Sequence, residues 1–333
     1  MKEKIILPPV AALELTYTCN HKCFFCCCPW EADKEYPSPE LSFEEWAGVI
    51  KELALHGVRS FTLTGGEPLM RKDLRKIIDL LHGIGASITM ISNGRAIDDE
   101  FLDFIAERDV SICISLPGIK SFAEHTGVDN VDHVLSLFRK TGERGIRTTA
   151  NIAVTKKNLP ELYENMAYAL LNGADYILLN RFLPGGRGLD NSELLLNRTE
   201  LNQMLDTAEE VLSNAGRYGH VGTELPLCAI DDPSKYKYLQ VSNLCAGAKG
   251  FFVVDPSGYL KVCNHSPVRV CRYDEIDSLL HNDYWQKFVK RDYLPSMCQG
   301  CKFTDKCDGG CREAAHVFYG GIDDLDPILA VNK

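Results

Sequence analysis

The stretch "ELTYTCNHKCFFCCCPWE", residues 14–31, sets five cysteines within ten positions directly after an apolar run. Four chemistries use thiols at that density: disulfides, a zinc site, a redox thiol pair, or an iron–sulfur cluster. The chain around them has 333 residues, enough for one large domain and a smaller one. Hydrophobic residues make up 45% of it, the composition of a folded globular protein. No apolar run reaches the roughly 18 residues of a membrane span. The lead-in "MKEKIILPPVAALELTY" is interrupted by Pro8, Pro9 and Glu14 and has no small-residue cleavage site, so it reads as the approach to a strand and not as a signal peptide. A cytoplasmic protein without a membrane anchor is the expectation. Fourteen cysteines in a reducing compartment are not a disulfide framework, which leaves metal, cluster or catalytic roles. The net charge of −10 excludes a general nucleic-acid binder, which needs a basic face.

Outward from the cysteines, apolar runs at 11–17, 60–65, 87–93, 110–116, 148–154 and 175–180 read as strands. Helical spacing fills segments between them, such as 42–57 and 71–85. Ser42 with Glu45 three positions on forms a capping box, and Gly57 supplies the stop. Regular strand–helix alternation predicts a parallel sheet. Six units are too few for a closed eight-fold barrel and predict an open (β/α)6 TIM-like barrel, in an α/β fold. After about residue 217 the pattern changes. "FFVVDPSGYLKVC" reads as a β-hairpin around a Pro-Ser-Gly turn. One helical segment, 273–291, and a loop-rich tail dense in cysteine and glycine follow. The expected division is 1–217 for the barrel and 218–333 for a small cysteine-rich domain, whose tail has too little apolar content to hold together without a metal centre.

Cys19, Cys23 and Cys26 form C-x3-C-x2-C at the end of the first predicted strand. Three thiolates on one loop can hold three irons of a four-iron cluster and leave the fourth iron open to a ligand. A zinc knuckle is the bland reading, with His21, Cys27 or Cys28 as fourth ligand. "TLTGGEPLM" then places Gly65, Gly66, Glu67 and Pro68 at the end of the second strand, on the barrel face where active sites form. Two glycines let the backbone approach a ligand closely, and Glu67 and nearby carbonyls can accept from an ammonium group. Alone this is a turn; beside the cysteine triad, chance is a poor explanation.

Together these residues resemble the radical S-adenosylmethionine (SAM) enzymes. The resemblance implies a [4Fe-4S] cluster whose open iron chelates SAM, and reductive cleavage of SAM to a 5′-deoxyadenosyl radical that abstracts hydrogen from a substrate. It extends to Phe25 before the third cysteine, to Ser92, Asn93 and Gly94 ending the third strand, and to Ser115 ending the fourth, where the family contacts SAM. Ordinary turn chemistry is the competing account of Ser92, Asn93 and Ser115. Cys27 and Cys28 are surplus to the cluster.

The tail reads Cys298-x2-Cys301-x5-Cys307-x3-Cys311, with Cys245, Gly258 and Cys263 upstream. This order resembles the SPASM extension of radical SAM enzymes, which carries up to two auxiliary iron–sulfur clusters; a zinc ribbon is the bland alternative. The resemblance implies one cluster on Cys228, Cys245, Cys263 and Cys311, and a second on Cys298, Cys301 and Cys307. A further C-terminal cysteine is expected after an Asp-Pro, where this chain has Leu329. Asp324, Asp326, His316, Cys271 or an open iron would complete that second site. Cys113 lies in an apolar strand and reads as core. Asn264 stands where sulfatase maturases carry a basic Asp, which disfavours sulfatase maturation.

Arg181 and Arg187 follow the sixth strand, where two guanidinium groups could grip carboxylates of a substrate or simply sit in a solvated loop. The leading expectation is oxidative modification of a ribosomally made peptide, with flavodoxin or ferredoxin as reductant and a separate recognition protein for any leader. The alternatives are the same chemistry on a small molecule, such as a tetrapyrrole side chain or an amino sugar, and a non-catalytic iron–sulfur or zinc scaffold.

Overall fold

The computed structural model describes residues 5–330; the first four residues of the lead-in and the last three of the chain lie outside it. Six parallel strands follow one another: β1 (Val10–Glu14), β2 (Ser60–Thr64), β3 (Ser87–Ser92), β4 (Ser111–Ser115), β5 (Thr148–Val154) and β6 (Tyr176–Arg181). Between and after them run α1 (Phe43–Leu55), α2 (Leu74–Gly83), α3 (Asp99–Ala106), α4 (Phe122–Thr126), α5 (Val131–Glu143), α6 (Leu162–Leu171) and α7 (Arg198–Ala215). The open α/β barrel expected from the sequence is therefore present. Helix α1 begins as its sequence requires. Ser42 accepts from the Glu45 amide at 3.2 Å and Glu45 accepts from the Ser42 amide at 2.8 Å, satisfying two orphan donors of the first turn.

Beyond α7 the sheet continues instead of ending. Two three-residue strands, β7 (Gly219–Val221) and β8 (Leu239–Val241), extend it in parallel past β6. The expected hairpin, β9 (Phe251–Val254) and β10 (Tyr259–Lys261), adds to the opposite edge, with β9 parallel to β1. A short β11 (Cys271–Arg272) closes the order β11-β10-β9-β1-β2-β3-β4-β5-β6-β7-β8. The hairpin turn is fixed by Asp255, whose carboxylate accepts from the Ser257 and Tyr259 amides, and by Gly258 at φ +87°. One hydrophobic cluster runs from Leu7 to Ile328, through both parts of the chain.

The segment 273–291, read from sequence as one helix, is two. A 3-10 stretch at Tyr273–Leu280 is broken at Glu275, and α8 (Asp283–Lys290) starts afresh because Asn282 accepts from the Trp285 amide at 2.9 Å. The tail adds α9 (Arg312–Tyr319) and α10 (Pro327–Ala330). Among the described residues no helix is long and apolar enough to cross a membrane.

Strand alternation positions the site. Along β5 the residues alternate buried and half-buried, with Ala150, Ile152 and Val154 buried and Asn151 and Ala153 half-buried. The half-buried set faces a central cavity, which Thr64, Ile91, Asn151, Ala153 and Asn180 all line. Small or polar side chains at these positions leave the barrel interior hollow.

Candidate active site and cluster ligands

The cavity holds about 420 Å³, within the usual range for small-molecule sites. Cys19, Cys23 and Cys26 all border it, together with Phe25, Gly65, Gly66, Glu67, Ser92, Asn93 and Ser115. Of the residues read from sequence as contacting the cofactor, Pro68 and Gly94 stand back from the wall; Pro68 opens a short 3-10 turn, Pro68–Met70.

The two glycines have a structural reason of their own. Gly66 N donates to Thr16 O at 2.8 Å and Glu67 N to Thr18 O at 2.9 Å, continuing the β1–β2 pairing into the cysteine loop. A Cβ at Gly66 would sit 2.4 Å from Thr18 O, and one at Gly65, where φ is +133°, 2.7 Å from Thr16 O. The close approach is thus to the backbone that launches the cysteines.

Glu67 is 1% exposed and already engaged. It accepts from the Ser92 hydroxyl at 2.9 Å, the Asn93 amide at 2.8 Å and the Leu69 amide at 3.2 Å. Burial pushes its carboxyl up to about 7 against these lowering hydrogen bonds. Its side chain braces β2 to β3, leaving backbone groups to face the cavity. Asn93 reaches back across the site and donates to Asn20 at 2.7 Å.

A second clamp comes from the loop after β6. Gly186, at φ +49°, packs so tightly on the cysteine loop that a Cβ would lie 2.4 Å from Cys28 O and 2.6 Å from Cys26 O. Arg187 donates to Cys23 O at 2.8 Å and pairs with Glu31. Arg181 is buried, donates to Glu224 O at 3.1 Å and pairs with Asp326 of the tail. Both guanidinium groups thus brace the architecture, Arg187 half-buried and Arg181 fully buried, while Arg181 also lines the cavity with its Nε unpartnered.

Loss of water raises the Cys19 and Cys23 thiols, while a hydrogen bond from Cys28 lowers Cys26. Cys28 therefore acts on a member of the triad. Cys27 lines the cavity, its thiol pushed up to about 12 by burial. His21 is buried with Nε2 lacking a partner, and burial lowers it to about 4. Among the described residues no three His, Cys, Asp or Glu side chains are gathered tightly enough to hold one metal ion directly. The thiols instead ring the cavity wall.

The same cavity is also lined by Cys245, Cys263 and Cys311, with Glu224, Asn264, His265 and Glu313. Cys228 is not with them. It is exposed, in the short turn Leu227–Ala229, beside Cys307, Cys298 and Cys301. Cys271 is buried on β11, and Cys113 is buried in β4, as its apolar surroundings predicted.

Several cavity residues escaped the sequence reading. Glu14, in an otherwise apolar strand, forms a buried pair with Lys261 at 2.8 Å and accepts from Asn264 at 3.2 Å. Asn180 donates to Asn151 at 2.8 Å across β5 and β6. The available signal was polarity at inward-facing strand positions: Glu14, Asn151 and Asn180 each interrupt an apolar run.

An open parallel barrel with three thiols at the mouth of β1 and a Gly-Gly-Glu-Pro turn after β2 is the arrangement that the resemblance to radical SAM enzymes implied. Residues 13–168 match the Radical SAM superfamily, and a cysteine-rich C-terminus follows the matched segment. PqqA peptide cyclase of Granulibacter bethesdensis is 25% identical over 348 residues, covering 98% of this chain and 88% of that protein. PqqA peptide cyclase of Rhodopseudomonas palustris is 27% identical over 341 residues, covering 98% and 88%. Among solved structures, Streptococcus suis SuiB bound to S-adenosylmethionine superposes with a TM-score of 0.75 at 16% identity, over 97% of this chain and 77% of that one. Native anSMEcpe with bound AdoMet gives 0.76 at 17% identity, over 97% and 95%. At these identities the two structures speak for the fold. Both solved structures hold S-adenosylmethionine, the molecule for which the matched superfamily is named.

Proposed function

We propose that this enzyme oxidatively modifies a ribosomally made peptide, with Cys19, Cys23 and Cys26 holding the SAM-cleaving cluster. Gly65, Gly66, Glu67, Pro68, Ser92, Asn93 and Ser115 form or support the SAM site in this reading. The carrying observation is that one cavity is bordered both by this triad and by Cys245, Cys263 and Cys311. The donor chemistry fits: soft thiols on one loop suit an iron–sulfur cluster, and the half-buried Cys19 and Cys23 thiols, raised by loss of water, need a cationic centre to ionise. The peptide assignment is supported by relatives whose names are those of a peptide cyclase.

When bound, SAM and its cluster supply hydrogen-atom abstraction, and the auxiliary clusters supply an exit for the remaining electron. The protein's own part is positioning. Glu67 locks Ser92 and Asn93 beside the triad, and Arg187 with Gly186 holds the cysteine loop from the other side. Asn151 and Asn180 offer amide groups for polar contacts along the substrate path. Asn264 donates to Glu14, and its carboxamide, unlike an Asp carboxylate, cannot take a proton. A flavodoxin or ferredoxin would deliver the electron, a separate recognition protein would present any leader segment, and the cytoplasm is the compartment where such reduced clusters persist.

The test is anaerobic reconstitution with iron and sulfide, then reduction in the presence of SAM. The expected result is 5′-deoxyadenosine from the unaltered chain and none from the Cys19, Cys23, Cys26→Ala triple variant. A synthetic peptide encoded beside the gene should lose two hydrogens by mass. SAM cleavage at the normal rate by the triple variant would sink the proposal.

A further inference from the structure

The tail cysteines leave an apparent deficit, because Cys298, Cys301 and Cys307 are three and Leu329 stands where a fourth thiol is expected. Leu329 lies in α10 and packs against the hydrophobic core. The other C-terminal candidates are occupied. The Asp326 carboxylate pairs with Arg181 and accepts from the Cys311 amide at 2.7 Å. Asp324 accepts from the Gly321 amide at 2.9 Å. His316 Nδ1 lies 2.9 Å from Glu313 and 3.0 Å from the Tyr284 hydroxyl. Cys271 is held in β11, paired with Leu260 of β10.

One thiol does stand at the right place. Cys307 Sγ accepts from the amide of Leu227, the residue before Cys228, at 3.4 Å, and from the Gly309 amide at 3.3 Å. Gly309 in turn packs on Cys298, where an added Cβ would sit 3.2 Å from the sulfur. Cys301 is tied to Cys298 through its amide at 3.2 Å, and Thr304 bonds both carbonyls. Cys228 therefore borders the same knot of chain, on the outer side of the domain. It takes no part in the cavity wall that Cys245, Cys263 and Cys311 line.

We propose that Cys228 is the fourth thiolate of the outer auxiliary cluster, with Cys298, Cys301 and Cys307, and not a ligand of the inner set. The inner set then consists of Cys245, Cys263 and Cys311, three thiolates on the cavity wall. This rests on the reading above that the tail cysteines hold iron–sulfur clusters. It replaces a C-terminal ligand by one from the β7–β8 connection, so the outer cluster ties the barrel's last strands to the tail.

The test uses the full chain carrying the Cys19, Cys23, Cys26→Ala changes, reconstituted anaerobically and reduced. Its readouts are iron and sulfide per chain and the electron paramagnetic resonance spectrum. Cys228→Ala should lose or alter the signal that Cys298→Ala alters, with a matching fall in iron, and should retain the signal that depends on Cys263. Cys271→Ala should change neither. Cys228 is exposed, so its truncation opens no core cavity, and Cys228→Ser at nearly constant size should behave like Cys228→Ala. Loss of the Cys263-dependent signal in Cys228→Ala, or two unchanged signals, overturns the proposal. Iron absent altogether in this background overturns the auxiliary reading with it, while SAM cleavage by the unaltered chain judges the first cluster separately.

Discussion

Arg181 at the end of β6 and Asp326 in the C-terminal tail form an ion pair in which neither side chain is more than 1% exposed. Asp326 also accepts from the Cys311 amide, so one carboxylate fixes the barrel, the tail and a cavity cysteine together. Removing one partner leaves the other charge stranded. Asp326→Ala should cost about 3–5 kcal/mol in chemical denaturation. The double change Arg181→Met with Asp326→Leu should recover most of that loss, and a double variant as unstable as the single would refute the argument.

Gly186 is predicted to be indispensable for the position of the cysteine loop rather than for folding. Its φ of +49° and the 2.4 Å approach to Cys28 O leave no room for a methyl group. Gly186→Ala should lower 5′-deoxyadenosine formation by about 10-fold or more, through displacement of the triad. Gly83→Ala, where an added Cβ meets nothing within 4 Å, should leave the rate unchanged and stabilise α2 by about 0.5–1 kcal/mol.

Glu67 makes stability depend on pH. Burial raises its folded-state carboxyl from 4.5 to about 7, so between those values the folded chain binds more protons than the unfolded one. Stability from this group is full below about pH 4.5, falls as pH rises toward 7, and is level above that; the total is about 3 kcal/mol. Urea unfolding at pH 5 and pH 7 should show the fall. Glu67→Gln should flatten this part of the profile, and an equally steep profile in that variant would assign it elsewhere.

The tail is held by side chains as well as by any cluster. Arg312, with no exposed surface, donates to Ile322 O at 3.2 Å and Asp324 O at 2.8 Å, while Asp308 accepts from the Cys245 amide at 2.7 Å and the Tyr293 hydroxyl at 3.0 Å. In iron-free protein Cys311→Ala should therefore change limited proteolysis of the tail little. In reconstituted protein the same change should speed cleavage, and Cys113→Ser should not. Equal protection of both reconstituted variants would argue against a ligand at Cys311.

The parts of this structure that sequence revealed are those written locally. The strand at Thr148–Val154, the capping box at Ser42 and the Asp-Pro-Ser-Gly hairpin each depend on residues a few positions apart. The cysteine spacing belongs to the same class. What stayed hidden depends on distant partners. β7 and β8 are three residues long, too short for a periodic signal, and owe their existence to the edge of β6. Arg181 and Arg187 could be placed near the barrel mouth, but Asp326 and Glu31, which consume them, could not. The partners of Cys228 could not be read for a similar reason, since the eight thiols past residue 217 admit many partitions and only three-dimensional neighbours select among them.

The pairing of β1 with β9 also has a consequence for how the chain is made. Val10 at the start of the barrel finds its outer neighbour only in Phe251, so throughout most of synthesis one flank of the nascent sheet stays bare. A ribosome adding about 5–20 residues per second leaves that flank open for many seconds. Unsatisfied amides and carbonyls along β1 then invite pairing with a second nascent chain. Neighbouring Ala11, Leu13 and Leu15, all buried in the finished protein, add an adhesive apolar surface. A fragment ending before the hairpin would keep this hazard permanently, and the last quarter of the chain thus serves as a built-in seal for the first strand.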